Sequence, residues 1–424
     1  MRIIETVKQI FTLPDLRRKV LYVLFLLFIA RILAHVPLPG VDIESLRSFF
    51  SRNQIFGLLN MFSGGAMENF SIIMMGVGPY ITASIIVQLL TMVIPSLEEL
   101  QKEGESGQQK INYWTRILTV PLALIQSYAM LNLLKNQGIV ISWTSWQLVT
   151  MLISITAGTI LLMWIGELIS ENGIGNGVSL IIALGIIAGI PSQIRNTIAV
   201  LDTGKIISLV IFGIIAVGVV ILIILGNEGR RQIPVSYARR VRGLANYSAV
   251  DTHLPIRVNT AGVIPIIFAM SVMIFPGVAA KFLSQARSAW LAETAAWVAR
   301  LFENNFFYAL LYFLLVIGFT FFYTGIILKP KQMAENLQKQ GGFIPGVRPG
   351  RETADFLTRV ISRINLSGAV FLAVIAVLPF VVQAATRINT LAIGGTGVLI
   401  MVSVIIETMR QLQAQLLMRE YESY

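Results

Sequence analysis

The sequence contains no cysteine, only two histidines and few charged residues. Without cysteine the chain can form no disulfide, no thiolate nucleophile and no thiolate metal site. The two histidines, His35 and His253, fall in different predicted loops, and neither G-x-x-x-x-G-K-[ST] nor H-E-x-x-H occurs. The sequence therefore predicts no catalytic residue, no cofactor site and no metal site, so we do not expect an enzyme.

Apolar residues dominate instead, at 55% against 13% charged, and the mean hydropathy is +0.74. These values are typical of an integral membrane protein. Apolar runs close to the roughly 20 residues that a membrane-spanning helix needs occur ten times. They lie at about 20–36, 70–94, 115–134, 148–169, 178–194, 206–225, 260–276, 306–328, 364–384 and 393–410. The predicted fold class is an all-α integral membrane protein with ten transmembrane helices.

The distribution of Lys and Arg predicts the orientation of these spans. With the amino terminus inside, the cytoplasmic loops and termini receive more than twice as many Lys and Arg residues as the other side. Both termini should therefore be cytoplasmic. Two cytoplasmic loops, at about 226–259 and 329–363, are longer than topology requires and strongly basic. Long loops often carry function, so these loops predict a docking surface for an anionic partner, alongside the simpler explanation of positive-inside sorting.

The even number of spans suggests two inverted five-helix halves around a central path. The predicted domains are an amphipathic segment (1–19), a first half (20–194), an external hinge linker (195–205), a second half (206–410) and a cytoplasmic tail (411–424). Few ionisable residues fall near the centres of the spans. This disfavours an ion-coupled carrier, which needs such groups at the midplane. A small-solute carrier with inverted repeats and a non-conducting scaffold remain the alternatives to a passive channel.

The stretch "SGGAMENFSIIMMGVGPYITASIIVQLLTMVI" (63–94) is unusual for a transmembrane helix. Pro79 removes a backbone donor, and Gly76 and Gly78 allow a sharp bend, so a straight helix through this point is not expected. The polar part before the bend cannot face lipid, because its backbone groups would stay unpaired there. The pattern predicts a half helix enclosed in a cavity, followed by a wall helix. A kinked structural helix is the alternative.

Seven collinear motifs resemble the SecY family, the channel subunits of bacterial protein translocases. They are "RILAHVPLPGVD" (31–42), "SIIMMGVGPYITASIIVQLL" (71–90), "EGES" (103–106), "WIGELISENGIGNGVSLII" (164–182), "HLPIRVNTAGVIPIIFA" (253–269), "QMAENLQKQGGFIPGVRPGRETADFLTRVISRI" (332–364) and "IGGTGVLIMVSVIIETMRQLQAQLLMREY" (393–421).

The resemblance implies an hourglass pore between the two halves, closed by a ring of isoleucines and a re-entrant plug. Its implied ring is Ile81, Ile85, Ile182, Ile186, Ile267 and Ile400. Its implied plug comprises Asn60, Met61, Phe62, Ser63, Gly64, Gly65, Ala66, Met67, Glu68, Asn69, Phe70, Ser71 and Ile72. A lateral gate between the second and seventh spans would involve Ser84, Gln88, Asn259, Thr260 and Ala269.

The resemblance also implies partners and a location. The SecA motor ATPase and the ribosome, through its RNA, would bind the two long loops at Arg239, Arg240, Arg242, Arg348 and Arg351. SecE and SecG would assemble around the channel, while signal peptides, nascent chains and membrane lipid would meet at the gate. The implied location is the bacterial plasma (inner) membrane. The segment "LANYSAVD" (244–251) departs from the family, which usually has further basic residues there.

Overall fold

The structure is a computed structural model that describes residues 13–39, 41, 44–46, 60, 63–139, 144–199, 206–237, 251–284, 288–386 and 394–422. The long helices that it describes lie at the ten predicted spans. In chain order, the helices are α1 (Pro14–Leu33), α2 (Gly78–Val93), α3 (Pro95–Lys102), α4 (Glu105–Asn136), α5 (Ser145–Asn172), α6 (Gly177–Ala199), α7 (Ile206–Glu228), α8 (Ile264–Leu283), α9 (Ala289–Glu303), α10 (Asn305–Ile327), α11 (Pro330–Lys339), α12 (Arg351–Thr386) and α13 (Gly394–Glu422).

Length and composition identify membrane crossings among these helices. Five described segments qualify, namely Glu105–Lys135, Ser145–Asn172, Asn305–Lys339, Arg351–Val382 and Gly397–Met418. A sixth results if α2 and α3, which bend by 101°, form one broken span. Shorter apolar helices occupy Gly177–Pro191, Gly213–Glu228 and Ile264–Met273. The chain is a multi-pass membrane protein.

Helix boundaries refine the predicted domains. Pro14 begins α1, where its fixed φ suits the first turn, while the rest of the predicted amphipathic segment lies outside the described residues. The predicted linker 195–205 begins inside α6, which runs to Ala199. Helix α13 continues to Glu422 without a break, so the predicted tail extends the last helix.

Parts of the two long loops predicted from the sequence form a small sheet. Strands β1 (Arg230–Tyr237), β2 (Asp251–Arg257) and β3 (Gly342–Phe343) form an antiparallel sheet in the order β2-β1-β3. Ile233 and Val235 of β1 are buried together with Leu357 and Ile361 of α12. Their alternation with exposed neighbours is a strand pattern that the prediction overlooked. Both basic segments therefore belong to one packed unit.

The predicted half helix over residues 60–72 is the clearest correction. Asn60 is helical, but residues 63–77, here called the turn segment, form consecutive turns, and Met61 and Phe62 lie outside the described residues. Gly64, Gly65 and Gly76 have φ values of 71°, 78° and 57°, and Phe70 has a φ of 47°. Left-handed residues cannot continue a right-handed helix, so the chain turns instead. The wall helix predicted after Pro79 is present as α2.

Candidate functional site

Six isoleucines from four helices, here called the isoleucine cluster, lie in one large buried apolar core. Helices α2 and α6 each contribute a pair at i and i+4, which lie on one helix face. Helices α8 and α13 contribute one each, and all six are at most 7% exposed. The members are Ile81, Ile85, Ile182, Ile186, Ile267 and Ile400, which belong to a single apolar core. The structure thus brings together residues from both halves of the chain.

The turn segment packs against this core. Its residues Ala66, Ile73 and Val77 are buried in the same apolar core as the isoleucine cluster. Three others, Met67, Phe70 and Met74, are buried in a second cluster with side chains of α4 and α5. The turn segment therefore contributes buried side chains to two apolar clusters.

Close backbone contacts fix the position of the turn segment. An alanine Cβ at Gly64 would lie 2.9 Å from the Cα of Gly185 in α6. A Cβ at Gly158 in α5 would lie 2.2 Å from the carbonyl oxygen of Ile72. Real Cβ atoms do not make contacts this short, so only glycine fits at Gly64 and Gly158. The fit depends on backbone surfaces that meet without side chains between them.

Arg31 of α1 anchors the same segment. Its Nη1 donates a hydrogen bond of 2.6 Å to the carbonyl oxygen of Gly64. A small, partly open cavity of about 20 Å³, lined by Arg31, Ser63, Gly64, Leu162 and Gly185 among others, adjoins this contact. A charged hydrogen bond in such a partly enclosed place is stronger than one between neutral groups. Sequence reasoning had placed Arg31 only near a span end and gave it no role.

Internal hydrogen bonds give the segment a defined shape. The Nδ2 of Asn60 donates to Glu68 Oε2 at 2.8 Å, and the amide of Glu68 donates to Asn60 Oδ1 at 2.9 Å. The Ser63 hydroxyl donates to the Asn60 carbonyl and accepts from the Met67 amide. These bonds satisfy polar groups that would otherwise be costly to bury. The polar residues that looked unsuitable for lipid are thus paired within the segment.

A short backbone bridge connects the segment to the chain that follows α1. Pro37 and Ser71 form an isolated antiparallel bridge. The Leu38 amide donates to the Phe70 carbonyl at 2.8 Å, and the Ile72 amide donates to the Val36 carbonyl at 3.1 Å. The segment is therefore held at both sides, by α1 through Arg31 and by the chain beyond α1.

The predicted lateral gate is only partly matched by the structure. The second and seventh spans, α2 and α8, are in contact, and Ala269 of α8 is buried while Ser84 of α2 is half-buried. The polar residues do not pair across this contact, however. Gln88 donates to Ser84 within α2 at 3.2 Å, and Thr260 donates to the Arg257 carbonyl. Gln88 and Thr260 therefore form no hydrogen bond between α2 and α8.

Asn259 belongs to a different buried network. Its Nδ2 donates to Asn227 Oδ1 at 2.6 Å, and Asn227 Nδ2 donates to Ser403 Oγ at 2.9 Å. Arg410 adds bonds of 2.7 Å to the Asn227 carbonyl and 2.6 Å to Glu228. The network joins the end of α7 and the chain after β2 to α13, the helix that carries Ile400. These partners are distant in sequence, so no local pattern could have identified them.

The sheet presents an exposed arginine surface. Arg348 is exposed in a turn between Gly346 and Gly350, whose φ values are 82° and 99°. Its carbonyl accepts a hydrogen bond of 2.8 Å from the Thr353 hydroxyl, which fixes the turn against the start of α12. Arg351 is also exposed. The other predicted contact residues, Arg239, Arg240 and Arg242, lie outside the described residues.

Arg257 lies at the base of the same sheet, at the end of β2. Burial lowers the pKa of its guanidinium group, and the positive charges of Arg410 and Arg230 lower it further. An arginine still remains charged at neutral pH because its ordinary pKa lies so far above 7. The base of the sheet therefore brings three arginines together, and the carboxylates of Glu228 and Glu407 partly offset their charge.

Comparisons with known proteins agree with one another. The SecY family model matches residues 71–409. The chain is 41% identical to "Protein translocase subunit SecY" of Halalkalibacterium halodurans, with 99% of each chain covered. It is 39% identical to the protein of the same name from Vibrio cholerae, with 97% of this chain and 94% of the relative covered.

Solved structures show the same fold at lower identity. A structure described as "The structure of a protein conducting channel" matches with a TM-score of 0.61 at 20% identity, covering 93% of this chain and 91% of the other. A canine structure, "Sec61 in the Canine ribosome-channel complex from the endoplasmic reticulum", matches with a TM-score of 0.59 at 18% identity and the same coverage.

Proposed function

The chain belongs to the SecY family of protein translocase subunits, and from that membership we propose how its buried site performs protein conduction. The protein is a protein-conducting channel subunit. The carrier alternative finds no support, because relatives that match nearly the whole chain are translocase subunits. We assign no catalytic role to the chain, so the work of translocation must come from a partner.

We propose that the isoleucine cluster is the constriction of the pore and that the turn segment is its plug. The observation that carries this proposal is the burial of Ala66, Ile73 and Val77 in the core that holds all six isoleucines. Isoleucine makes no side-chain hydrogen bonds, so the ring can close around many sequences without selecting among them. An apolar constriction also expels water and so blocks ions. Branching at Cβ limits each side chain to few rotamers, which makes the ring firm.

Opening requires two separate movements in this proposal. The turn segment leaves its place against α5 and α6, which breaks the bond from Arg31 to the Gly64 carbonyl. Helices α2 and α8 then separate to release transmembrane segments into lipid. Because the polar residues near this gate pair within their own halves, apolar packing alone holds α2 against α8. An entering signal helix can replace such packing with equivalent apolar contacts.

The partners follow from the exposed basic surface and from the family. SecA and the ribosome would use the arginines of the sheet and the turn that holds Arg348, since clustered positive charge favours acidic protein surfaces and RNA phosphates. Canine and yeast channels of this fold have been solved in ribosome complexes. SecE and SecG would bind the periphery, in the bacterial plasma (inner) membrane, with both termini cytoplasmic.

Reconstitution tests the proposed function directly. Purified protein in proteoliposomes, supplied with its small membrane partners, SecA and ATP, should import an unfolded preprotein into a protease-protected space. Import should require ATP and stop when a folded domain is fused to the preprotein. Saturable uptake of a small solute without import of preprotein would instead support the carrier.

Reversal of charge at Arg348 should abolish SecA-driven import while leaving folding intact. The Arg348→Glu change places a carboxylate where a planar guanidinium would bind acidic groups. Arg359→Glu is the matched control, because Arg359 is equally exposed on α12 and the charge change is the same. Import rate is measured in proteoliposomes. Equal rates for Arg348→Glu and wild type would refute the assignment of Arg348.

A covalent bridge between α2 and α8 should stop export. The chain has no native cysteine, so pairs introduced near Ser84 and Ala269 can be crosslinked without background. A bridge between α2 and α4, which pack together within the first half, is the control and should leave export unchanged. Export is followed before and after reduction of the bridge. Normal export through a bridged α2–α8 pair would place the gate elsewhere.

A further inference from the structure

Helix α9 exposes an apolar face at the end of α10 opposite the sheet. Trp290 is 72% exposed and Trp297 is 64% exposed, with no described residue covering either side chain fully. Residues seven apart lie only about 20° apart around a helix, so both indoles share one face. Leu291, about 100° from Trp290 around the helix, is exposed as well, whereas Ala295, about 140° from Trp290, is buried. The helix therefore has one face packed on the protein and one apolar face that is open.

The length of α9 is too small for a membrane crossing. Its 15 residues span about 22 Å at 1.5 Å per residue, less than the roughly 30 Å of a bilayer core. Its charged residues Glu293, Arg300 and Glu303 are also too many for a span of this length. A short amphipathic helix with tryptophans on one face is typical of the bilayer interface.

The position of α9 along the chain places it near the membrane boundary. Only Asn304 separates it from α10, which begins at Asn305 and belongs to a segment apolar enough to cross a bilayer. The Asn304 side chain accepts hydrogen bonds from the Phe306 and Phe307 amides and so caps α10. Phe306, Leu310 and Leu314, each four residues apart, are exposed along one side of α10. Helix α9 is thus followed directly by a helix with an exposed apolar side suited to lipid.

We propose that α9 is an interfacial anchor whose Trp290 and Trp297 insert into the headgroup and acyl boundary of the bilayer. Tryptophan favours this zone because its ring is apolar while its N–H remains hydrated. Glu293 and Arg300 lie about 60 to 80° from Trp290 around the helix, at 100° per residue, and so reach the water side. Because these charges nearly cancel, the anchor recognises the interface itself and needs no anionic lipid.

The anchor would act on α8, one of the two helices of the proposed lateral gate. Helix α9 packs on α8, and a T-shaped contact between Phe302 and Phe307, with centroids 6.1 Å apart, holds it to α10. Lipid contact at α9 therefore fixes the end of α8 that is farthest from the sheet. Helix α8 also carries Ile267 of the isoleucine cluster and Ala269 of the proposed gate. The anchor would therefore fix the depth of these residues in the bilayer.

Spin labels can measure the depth of α9, since the chain has no native cysteine. Single-cysteine variants Trp290→Cys and Trp297→Cys test the open face, and Arg300→Cys, about 60 to 80° away from both around the helix, is the control on the charged side. Leu310→Cys on α10 gives the reference collision ratio for a site in lipid. Arg359→Cys on α12 gives the reference ratio for a site in water. Each labelled protein is placed in lipid nanodiscs, and collision with oxygen is compared with collision with a water-soluble nickel chelate.

The expected result is a ratio of oxygen to nickel collision about threefold or more higher at positions 290 and 297 than at position 300. The ratio should be the same in zwitterionic nanodiscs and in nanodiscs with anionic lipid. Free nickel access at both test positions would overturn the proposal in favour of a solvated helix. Protection from both oxygen and nickel would overturn the proposal, because it would show that another protein chain covers this face of α9. Dependence on anionic lipid would also contradict it. Two test positions guard against one variant that fails to fold.

Discussion

Replacement of Gly64 by alanine is expected to make the resting channel leak ions, whereas the same replacement at Gly65 should leave it nearly tight. Both glycines have positive φ values, 71° and 78°, so alanine suffers similar backbone strain at each. Only Gly64 has a neighbour: its Cβ would lie 2.9 Å from the Gly185 Cα, while a Cβ at Gly65 meets nothing within 4 Å. The pair therefore separates loss of fit from backbone strain.

The size of the effect follows from the cost of overpacking. Forcing an extra methyl into a tight contact costs about 1–3 kcal/mol. A cost of about 1–3 kcal/mol changes an equilibrium about 5- to 150-fold, so the displaced position of the turn segment should be more populated by about that factor in Gly64→Ala than in Gly65→Ala. Planar-bilayer recordings of the purified variants measure this as the frequency of openings. Equal opening frequencies would show that the turn segment does not close the pore.

A point substitution is a sharper test than removal of residues 60–72. Removal would also delete Met67 and Phe70, which are buried against α4 and α5. The surrounding cluster would lose its packing, and large core truncations typically cost several kcal/mol. A leak in such a deletion could then arise from a loosened first half. The Gly64 and Gly65 pair keeps those buried side chains in place.

Replacement of Ile186 by serine is expected to raise ion leak and to admit preproteins with weakly hydrophobic signals. Ile186 is buried in the isoleucine cluster, and a hydroxyl there offers water a hydrogen bond inside the constriction. Ile187 is 43% exposed on the neighbouring position of α6, so Ile187→Ser carries the same chemical change away from the cluster. The variant at position 187 should resemble wild type.

The effect should grow when several members of the ring change together. Serine at Ile81, Ile85, Ile267 and Ile400 removes apolar area from three of the four helices that line the proposed constriction, and the wetted opening then no longer excludes ions. Conductance and the export of a preprotein with a weakened signal sequence are measured on the same preparations. If Ile186→Ser and the multiple variant are both as tight as Ile187→Ser, the isoleucine cluster is an ordinary core and the pore lies elsewhere.

The sequence by itself determined the features that depend on short-range patterns. Apolar runs of helical length marked the ten long helices, and i, i+4 spacing put Ile81 and Ile85, like Ile182 and Ile186, on one face. Pro79 together with Gly76 and Gly78 indicated that no straight helix passes through that point. The location of the ring residues came from the motif resemblance, and the structure places them together.

Only the tertiary structure decided how distant segments meet. The turn segment avoids a helix because Gly64, Gly65, Gly76 and Phe70 adopt left-handed φ values in their packed surroundings, and glycine permits but does not require such values. Asn259 pairs with Asn227 rather than across the gate, because the end of α7 lies within 2.6 Å of it in the fold. Arg31 likewise reaches Gly64 across 33 residues. Local periodicity determines which face of a helix is apolar. Packing of the whole chain determines which polar groups form hydrogen bonds with each other.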